Sequence, residues 1–218
     1  MEFKRQVSPS LLAADYAYLG DAAIAAESGG AGSLHVDYMD GHYVPNISFG
    51  FDTIPALKKR VKIPLIAHLM ISNTEERLTD FIELKPDYII IQEDTVKDPP
   101  QLLARIKEAG VKNGFALKPD RPLSLFYETL YTIDYLLILG VFPGFGGQKF
   151  IEETLDKMRA AHAFRVEHNL SYDIAVDGGV NKITAPGIIG TGVNVLVAGT
   201  AIFGASDVKK AIEEFLAL

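Results

Sequence analysis

Eight short apolar or β-branched runs recur along this chain, most of them separated by an amphipathic stretch of helix length. They cover residues 7–13, 34–39, 63–70, 88–92, 114–117, 135–141, 173–176 and 193–198, one about every 27 residues. The intervening stretches include residues 74–83, 100–109, 152–167 and 207–218. Strand alternating with helix implies parallel pairing, because a parallel return needs a crossover of a dozen or more residues. Eight such units predict an α/β fold of the (β/α)8 TIM-barrel type. The 218 residues make a short version of it, since ~250 is more usual, and a doubly wound sheet is the alternative.

No linker rich in Pro, Gly or Ser divides the chain, and no low-complexity tract or charge block interrupts it. Pro and Gly fall instead at the ends of the apolar runs, as in Asp120-Arg-Pro122, Pro143-Gly144 and Gly178-Gly179. That is turn punctuation within one domain, expected to span residues 1–218. With 48% hydrophobic and 22% charged residues the composition suits a chain that buries a large core.

A net charge of −7 supplies no electrostatic footprint for phosphate backbones or anionic lipid, so neither nucleic acid nor membrane is an expected partner. Cysteine is absent, which excludes disulfides, thiolate ligands and a cysteine nucleophile, and leaves His, Asp and Glu to hold any metal. Lys4 and Arg5 are followed by a weakly apolar stretch cut by Pro9 and Asp15, which lacks a signal-peptide core. No apolar run approaches the roughly 18 residues of a membrane helix. A soluble, cytoplasmic protein is the expectation.

The strand period of two places polar residues on the inner face at the strand ends. In residues 34–40 it groups His35, Asp37 and Met39; in residues 63–70, Ile66, His68 and Met70; in residues 173–179, Asp173, Ala175 and Asp177. Taken singly, an inward histidine is more often a hydrogen-bonded core residue and a strand-end aspartate a helix cap. Four such groups together in a barrel mouth would cost several kcal/mol per unpaired charge. A divalent cation resolves the difficulty: His35, Asp37, His68 and Asp177 form a coherent set of two imidazoles and two carboxylates whose charge balances it. One metal per chain is expected, with zinc, iron(II), manganese and cobalt all compatible.

Glycine clusters follow the last three runs, at residues 142–148, 177–179 and 198–200. Barrels commonly build a phosphate site from the loops after their final strands and a nearby helix N-terminus. Backbone N–H groups exposed by glycine hold an anion without lysine or arginine, which makes Gly146, Gly147, Gly179, Gly199 and Thr200 candidates.

The segments Ser8-Pro-Ser-Leu-Leu-Ala-Ala-Asp15, His35-Val-Asp-Tyr-Met-Asp-Gly-His-Tyr-Val-Pro-Asn46, His68-Leu-Met70, Pro143-Gly-Phe-Gly-Gly-Gln-Lys-Phe150, Val176-Asp-Gly-Gly179 and Val197-Ala-Gly-Thr-Ala-Ile-Phe203 resemble successive signatures of the ribulose-phosphate 3-epimerase family, in its order and over nearly the whole chain. The resemblance implies a barrel of the ribulose-phosphate-binding type that inverts C3 of a pentulose 5-phosphate, D-ribulose to D-xylulose 5-phosphate, or of a hexulose 6-phosphate, such as D-allulose to D-fructose 6-phosphate. It implies that His35, Asp37, His68 and Asp177 bind the metal and that Asp37 and Asp177 are the two acid/base residues. It also implies a substrate site formed by Ser10, His68, Gly144, Phe145, Gly146, Gly147, Asp177, Gly178, Gly179, Gly199 and Thr200.

Inverting a carbon next to a ketone requires removal of its proton, which a metal eases by polarising the C2 carbonyl. Two carboxylates are then needed, one on each face of a flat intermediate. Met39 and Met70 would line the pocket beside that intermediate or, equally, fill the core. A homo-oligomer is expected, with the phosphorylated ketose as ligand.

The chain departs from the family's pattern at several points. Gln92 stands where the family has a histidine near the end of the fourth strand, Leu139 where it tends to have methionine and Phe142 where it tends to have a polar residue. Lys118 replaces a common asparagine, and Phe51 a common proline. These changes are expected to alter pocket walls without touching the metal set. Two other functions compete. A decarboxylase or aldolase on the same barrel would, in the Schiff-base case, need Lys118, the one strand-end lysine candidate. A non-catalytic sugar-phosphate-binding paralogue would have no need of two opposed acids. His162 and His168 are expected to be solvated helix residues, and His42 to order a loop. The nine tyrosines are scattered, without a stacking pattern for single strands.

Overall fold

The computed structural model describes residues 3–218. Its strands are β1 Gln6–Pro9, β2 Leu34–Met39, β3 Leu65–Met70, β4 Tyr88–Gln92, β5 Lys112–Leu117, β6 Tyr135–Leu139, β7 Asp173–Asp177 and β8 Val195–Ala198. All pair in parallel in one sheet of order β1-β8-β7-β6-β5-β4-β3-β2. A parallel bridge between Ser10, just past β1, and His35 on β2 joins the two ends of that order. The expected (β/α)8 barrel is therefore the fold.

Helices alternate with the strands: α1 Leu19–Ser28, α2 Thr53–Lys58, α3 Thr74–Glu83, α4 Pro99–Glu108, α5 Tyr127–Leu130, α6 Thr154–Glu167, α7 Ala185–Ile189, α8 Thr200–Phe203 and α9 Val208–Leu216. Local chemistry sets several of their starts. Asp98 caps α4 by accepting from the Gln101 N–H, with Pro99 next in line, and Asp207 caps α9 by accepting from the Lys210 N–H; each satisfies an N–H that the first turn leaves unpaired.

Two concentric cores result. Outward strand residues such as Val36, Leu69, Ile89 and Ile138 pack under the helices, while Ile66, Ile90, Ala116, Leu137, Ala175 and Val195 fill the barrel lumen. Strands buried on both faces read as nearly continuous apolar runs, which is why the sequence marks them so clearly. The lumen is packed by these residues below, and the His/Asp cluster lies toward the strands' C-terminal ends, the end at which barrels of this kind carry their sites.

Several boundaries move. Run 7–13 divides into β1 and a single 3-10 turn, Leu11–Ala13; run 63–70 starts at Leu65, after Pro64; and β5 begins at Lys112. α6 departs from the amphipathic expectation, because its inner face buries Arg165 beside Met158 and Ala161. The Arg165 guanidinium donates to the carbonyls of Tyr172 and Gly192 and to Asn194 Oδ1. His162, expected in solvent, is half-buried instead, its Nδ1 3.2 Å from that guanidinium. His168 is exposed, stacked on Phe164. Among the described residues no helix is long and apolar enough to cross a membrane.

Candidate metal centre and active site

Register brings the polar strand ends together. Asp37 on β2 sits opposite His68 on β3, His35 lies two residues back on the same face, and Asp177 ends β7 across from Leu139. The four residues each offer one ligand-type atom, all within 4.8 Å of one another. His35 Nε2 is 3.1 Å from Asp37 Oδ1 and 3.9 Å from Asp177 Oδ2. His68 Nδ1 is 2.9 Å from Asp37 Oδ1 and 3.2 Å from His35 Nε2. A cation held about 2.0–2.2 Å from four tetrahedral donors needs donor separations of roughly 3.3–3.6 Å. The spacings straddle that value, and the nitrogen and oxygen donors suit a divalent transition metal. These four residues could hold one.

The electrostatics divide the cluster. Burial opposes the charge on Asp37, but His35 and His68 outweigh it and hold its carboxyl well below the usual range. Asp177 reaches the pocket, its side chain 21% exposed. Burial and then the neighbouring Asp37 charge push its carboxyl up to about 7. Burial also works against a charge on His35, yet Asp37 and Asp177 raise its affinity for a proton; at His68 burial prevails and lowers it. Ser10 donates to the other oxygen of Asp37, at 2.7 Å.

A cavity of about 170 Å³ opens beside the cluster. Ser10, Asp37, Met39, Met70 and Asp177 line it together with Gly144, Phe145, Gly146, Gly147, Gly178, Gly179, Gly199 and Thr200. His68 lies behind, fully buried. None of the lining residues is lysine or arginine, so an anion there would meet backbone N–H groups. The Gly178-Gly179 turn needs glycine at both positions: φ is +99° and +69°, and a Cβ on Gly179 would come within 2.6 Å of the Phe150 backbone. Asn46 Nδ2 donates to the Gly144 carbonyl at 3.1 Å, tying the loop after β2 to the loop after β6. The sequence singled out no role for Asn46.

The model of the Ribulose-phosphate 3 epimerase family matches residues 6–203. The chain belongs to the ribulose-phosphate 3-epimerase family. It is accordingly an isomerase, an epimerase acting on carbohydrate phosphates. It is 40% identical over 210 residues to the ribulose-phosphate 3-epimerase of Bacillus subtilis, covering 96% of this chain and 97% of that one. It is 41% identical to the chloroplastic ribulose-5-phosphate-3-epimerase of Arabidopsis thaliana, covering 95% and 74%. Among solved structures it resembles the tryptophan synthase alpha-subunit of Pyrococcus furiosus, with TM-score 0.70, 17% identity and full coverage of both chains. Orotidine 5'-phosphate decarboxylase of Pyrococcus horikoshii gives TM-score 0.69 at 16% identity, covering 96% and 97%. At these identities the likeness is one of fold.

The structure locates this epimerase-family chain's departures. Leu139 and Phe142 are pocket walls, as expected. Phe51 lies elsewhere, under Arg77 in a second cavity between α3 and the loop after β2. Lys118 is not among the lining residues; its ammonium pairs with Asp94, which raises its affinity for the proton. A Schiff-base lysine needs the opposite. Gln92 corrects the expectation that the departures leave the metal set untouched: its side-chain amide packs 2.9 Å from His68 Nε2. The signal was present, since period two places Gln92 in line with Ile90 on the inner face of β4. His42 orders its loop, with Nδ1 2.9 Å from the Asp40 carbonyl.

Proposed function

We propose that this protein is a metal-dependent ketose-phosphate 3-epimerase. Its leading substrate pair is D-ribulose and D-xylulose 5-phosphate, and a hexulose 6-phosphate such as D-allulose 6-phosphate is the second. The observation that carries the proposal is the convergence of His35, Asp37, His68 and Asp177 beside a cavity walled by the glycine loops after β6, β7 and β8. The curated relatives of B. subtilis and A. thaliana carry the matching activity in their names.

His35, Asp37, His68 and Asp177 would hold the metal, whose contribution when bound is Lewis-acid stabilisation of charge developing on the C2 oxygen. The substrate phosphate lies against the N–H groups of the loops around Gly146, Gly147, Gly179 and Gly199 and beside Thr200, the sugar reaching inward past Ser10. Asp37 and Asp177 stand on β2 and β7, strands separated in the barrel by β1 and β8, so they address the substrate from different walls. One carboxylate takes the C3 proton; the other delivers a proton to the opposite face of the flat intermediate. Carboxyls with proton affinities driven apart suit such paired acid and base roles. Met39 and Met70 flank the space with soft, polarizable surface.

The test is a coupled assay of both ketose phosphates on chelator-stripped protein, then after addition of zinc, iron(II), manganese or cobalt. Stripping should abolish turnover and one metal per chain should restore it, with ribulose 5-phosphate the better substrate. Undiminished turnover by protein free of metal, or none on either substrate with metal bound, overturns the proposal.

A further inference from the structure

His68 presents two ring nitrogens to two different neighbours. Nδ1 faces the ligand cluster, 2.9 Å from Asp37 Oδ1 and 3.2 Å from His35 Nε2. Nε2 faces the Gln92 carboxamide, 2.9 Å from its nitrogen, while Gln92 Oε1 is buried with no hydrogen-bond partner. Gln92 is itself fully buried, and β3–β4 register, with His68 opposite Ile90, holds it one diagonal step up the sheet.

A neutral imidazole carries one proton, and which nitrogen bears it is set by the partner of the other. With the amide nitrogen facing Nε2, that ring nitrogen must accept, so the proton sits on Nδ1 and points at Asp37. A cation in the cluster needs the Nδ1 lone pair, so the proton must then occupy Nε2, which requires an acceptor. Rotating the carboxamide about its last bond exchanges its nitrogen for its oxygen with little other movement, since the two ends are nearly the same size. The unpartnered Oε1 then accepts from Nε2–H.

We propose that Gln92 is a positioning residue for the metal centre, accepting the Nε2 proton of His68 through Oε1 and so fixing the tautomer that presents Nδ1 as a ligand. The inference rests on the metal-centre reading above. It assigns the job to this chain's own glutamine, at a position where the family's pattern has a histidine, because a carboxamide can meet either tautomer. Gln92 is not among the residues that line the cavity, so its effect on the site passes through the His68 ring that its side chain meets.

The experiment is zinc titration of wild type, Gln92→Met and Gln92→Glu, with ¹⁵N NMR of the histidine rings in zinc-loaded wild type. Outer partners of metal-bound histidines are typically worth 10–100-fold in affinity, so Gln92→Met, close in volume, should raise the zinc Kd by about that factor. Gln92→Glu, which keeps an acceptor oxygen beside Nε2, should bind within about threefold of wild type. In zinc-loaded wild type His68 should carry its proton on Nε2. Equal affinity of Gln92→Met and wild type, or a proton on His68 Nδ1 with zinc bound, overturns the assignment while leaving the epimerase reading intact. Zinc-binding wild type without C3 exchange overturns the epimerase reading alone. Wild type that binds no divalent metal overturns both. Because the NMR readout uses wild type, the test survives a variant that fails to fold.

Discussion

Asp37 and Asp177 approach the same nitrogen, His35 Nε2, at 3.1 and 3.9 Å, and their proton affinities are displaced in opposite directions. Asp37 is wrapped by Ser10, His35 and His68, whereas Asp177, which lines the same cavity, is raised by burial and then by the Asp37 charge. Substituting the two should therefore have different consequences. Asp37→Asn should lose both bound metal and turnover. Asp177→Asn should bind metal more weakly and lower kcat by about 10²–10⁴, the usual worth of a positioned acid or base. Metal analysis beside kcat separates them, and an Asp177→Asn protein within tenfold of wild type contradicts the role.

Metal affinity should depend on pH in the neutral range. Asp177 is pushed up to about 7 in the metal-free protein, and its proton must leave before the carboxylate can serve as a ligand. Protonation competes below that value and not above it. The apparent association constant should fall at least about tenfold from pH 7.5 to 6, the Asp177 proton alone accounting for that much and a proton on His35, held more tightly than usual, steepening the fall. Calorimetry in buffers of different ionisation enthalpy reads that proton directly; an affinity flat across this range counts against the Asp177 assignment.

Glu93, buried beside Arg121 at 3.6 Å, predicts a stability effect. Burial, then the Asp94 charge, pushes its carboxyl up to about 7 from an ordinary 4.5. Between those values the native state keeps a proton that the unfolded chain has lost, so stability falls as pH rises through them and levels off above 7. Glu93→Gln should flatten that slope and be more stable than wild type at pH 8, by on the order of 1–3 kcal/mol. Thermal melts at pH 5 and pH 8 check both statements. A variant less stable than wild type at pH 8 would show that the ion pair with Arg121 outweighs the burial cost.

Lys118 separates epimerase from Schiff-base chemistry. Because its ammonium pairs with Asp94 away from the cavity lining, Lys118→Met should keep kcat within about threefold, the effect of a surface ion pair being small. Borohydride with substrate should trap nothing on the wild-type chain. A trapped adduct at Lys118 would revive the aldolase reading.

The barrel and most of the cluster were legible because inward and outward residues alternate strictly along a strand. His35, Asp37, His68 and Asp177 each fall on the inner face by counting in twos, and a closed parallel barrel turns all such faces toward one lumen, where register sets Asp37 level with His68. The Gln92–His68 contact depends on register between β3 and β4, which periodicity leaves open; Gln92 could be seen to point inward but not to touch a ligand. Arg165 was hidden for a different reason. Its partners are backbone carbonyls and Asn194, so a charge occupies the inner face of α6 where an apolar residue would have announced burial. Glu93 and Arg121 escaped likewise, their pairing being made by the loops after β4 and β5.

The central claim is abstraction and return of the C3 proton by two carboxylates in a metal-loaded site. Proton NMR of ribulose 5-phosphate incubated with metal-loaded protein in deuterium oxide tests it most directly. The account predicts loss of the C3 proton signal through deuterium incorporation, together with formation of xylulose 5-phosphate, and neither with chelator-stripped protein. Retention of the C3 proton in every ketose phosphate tried, with one metal bound per chain, would contradict it.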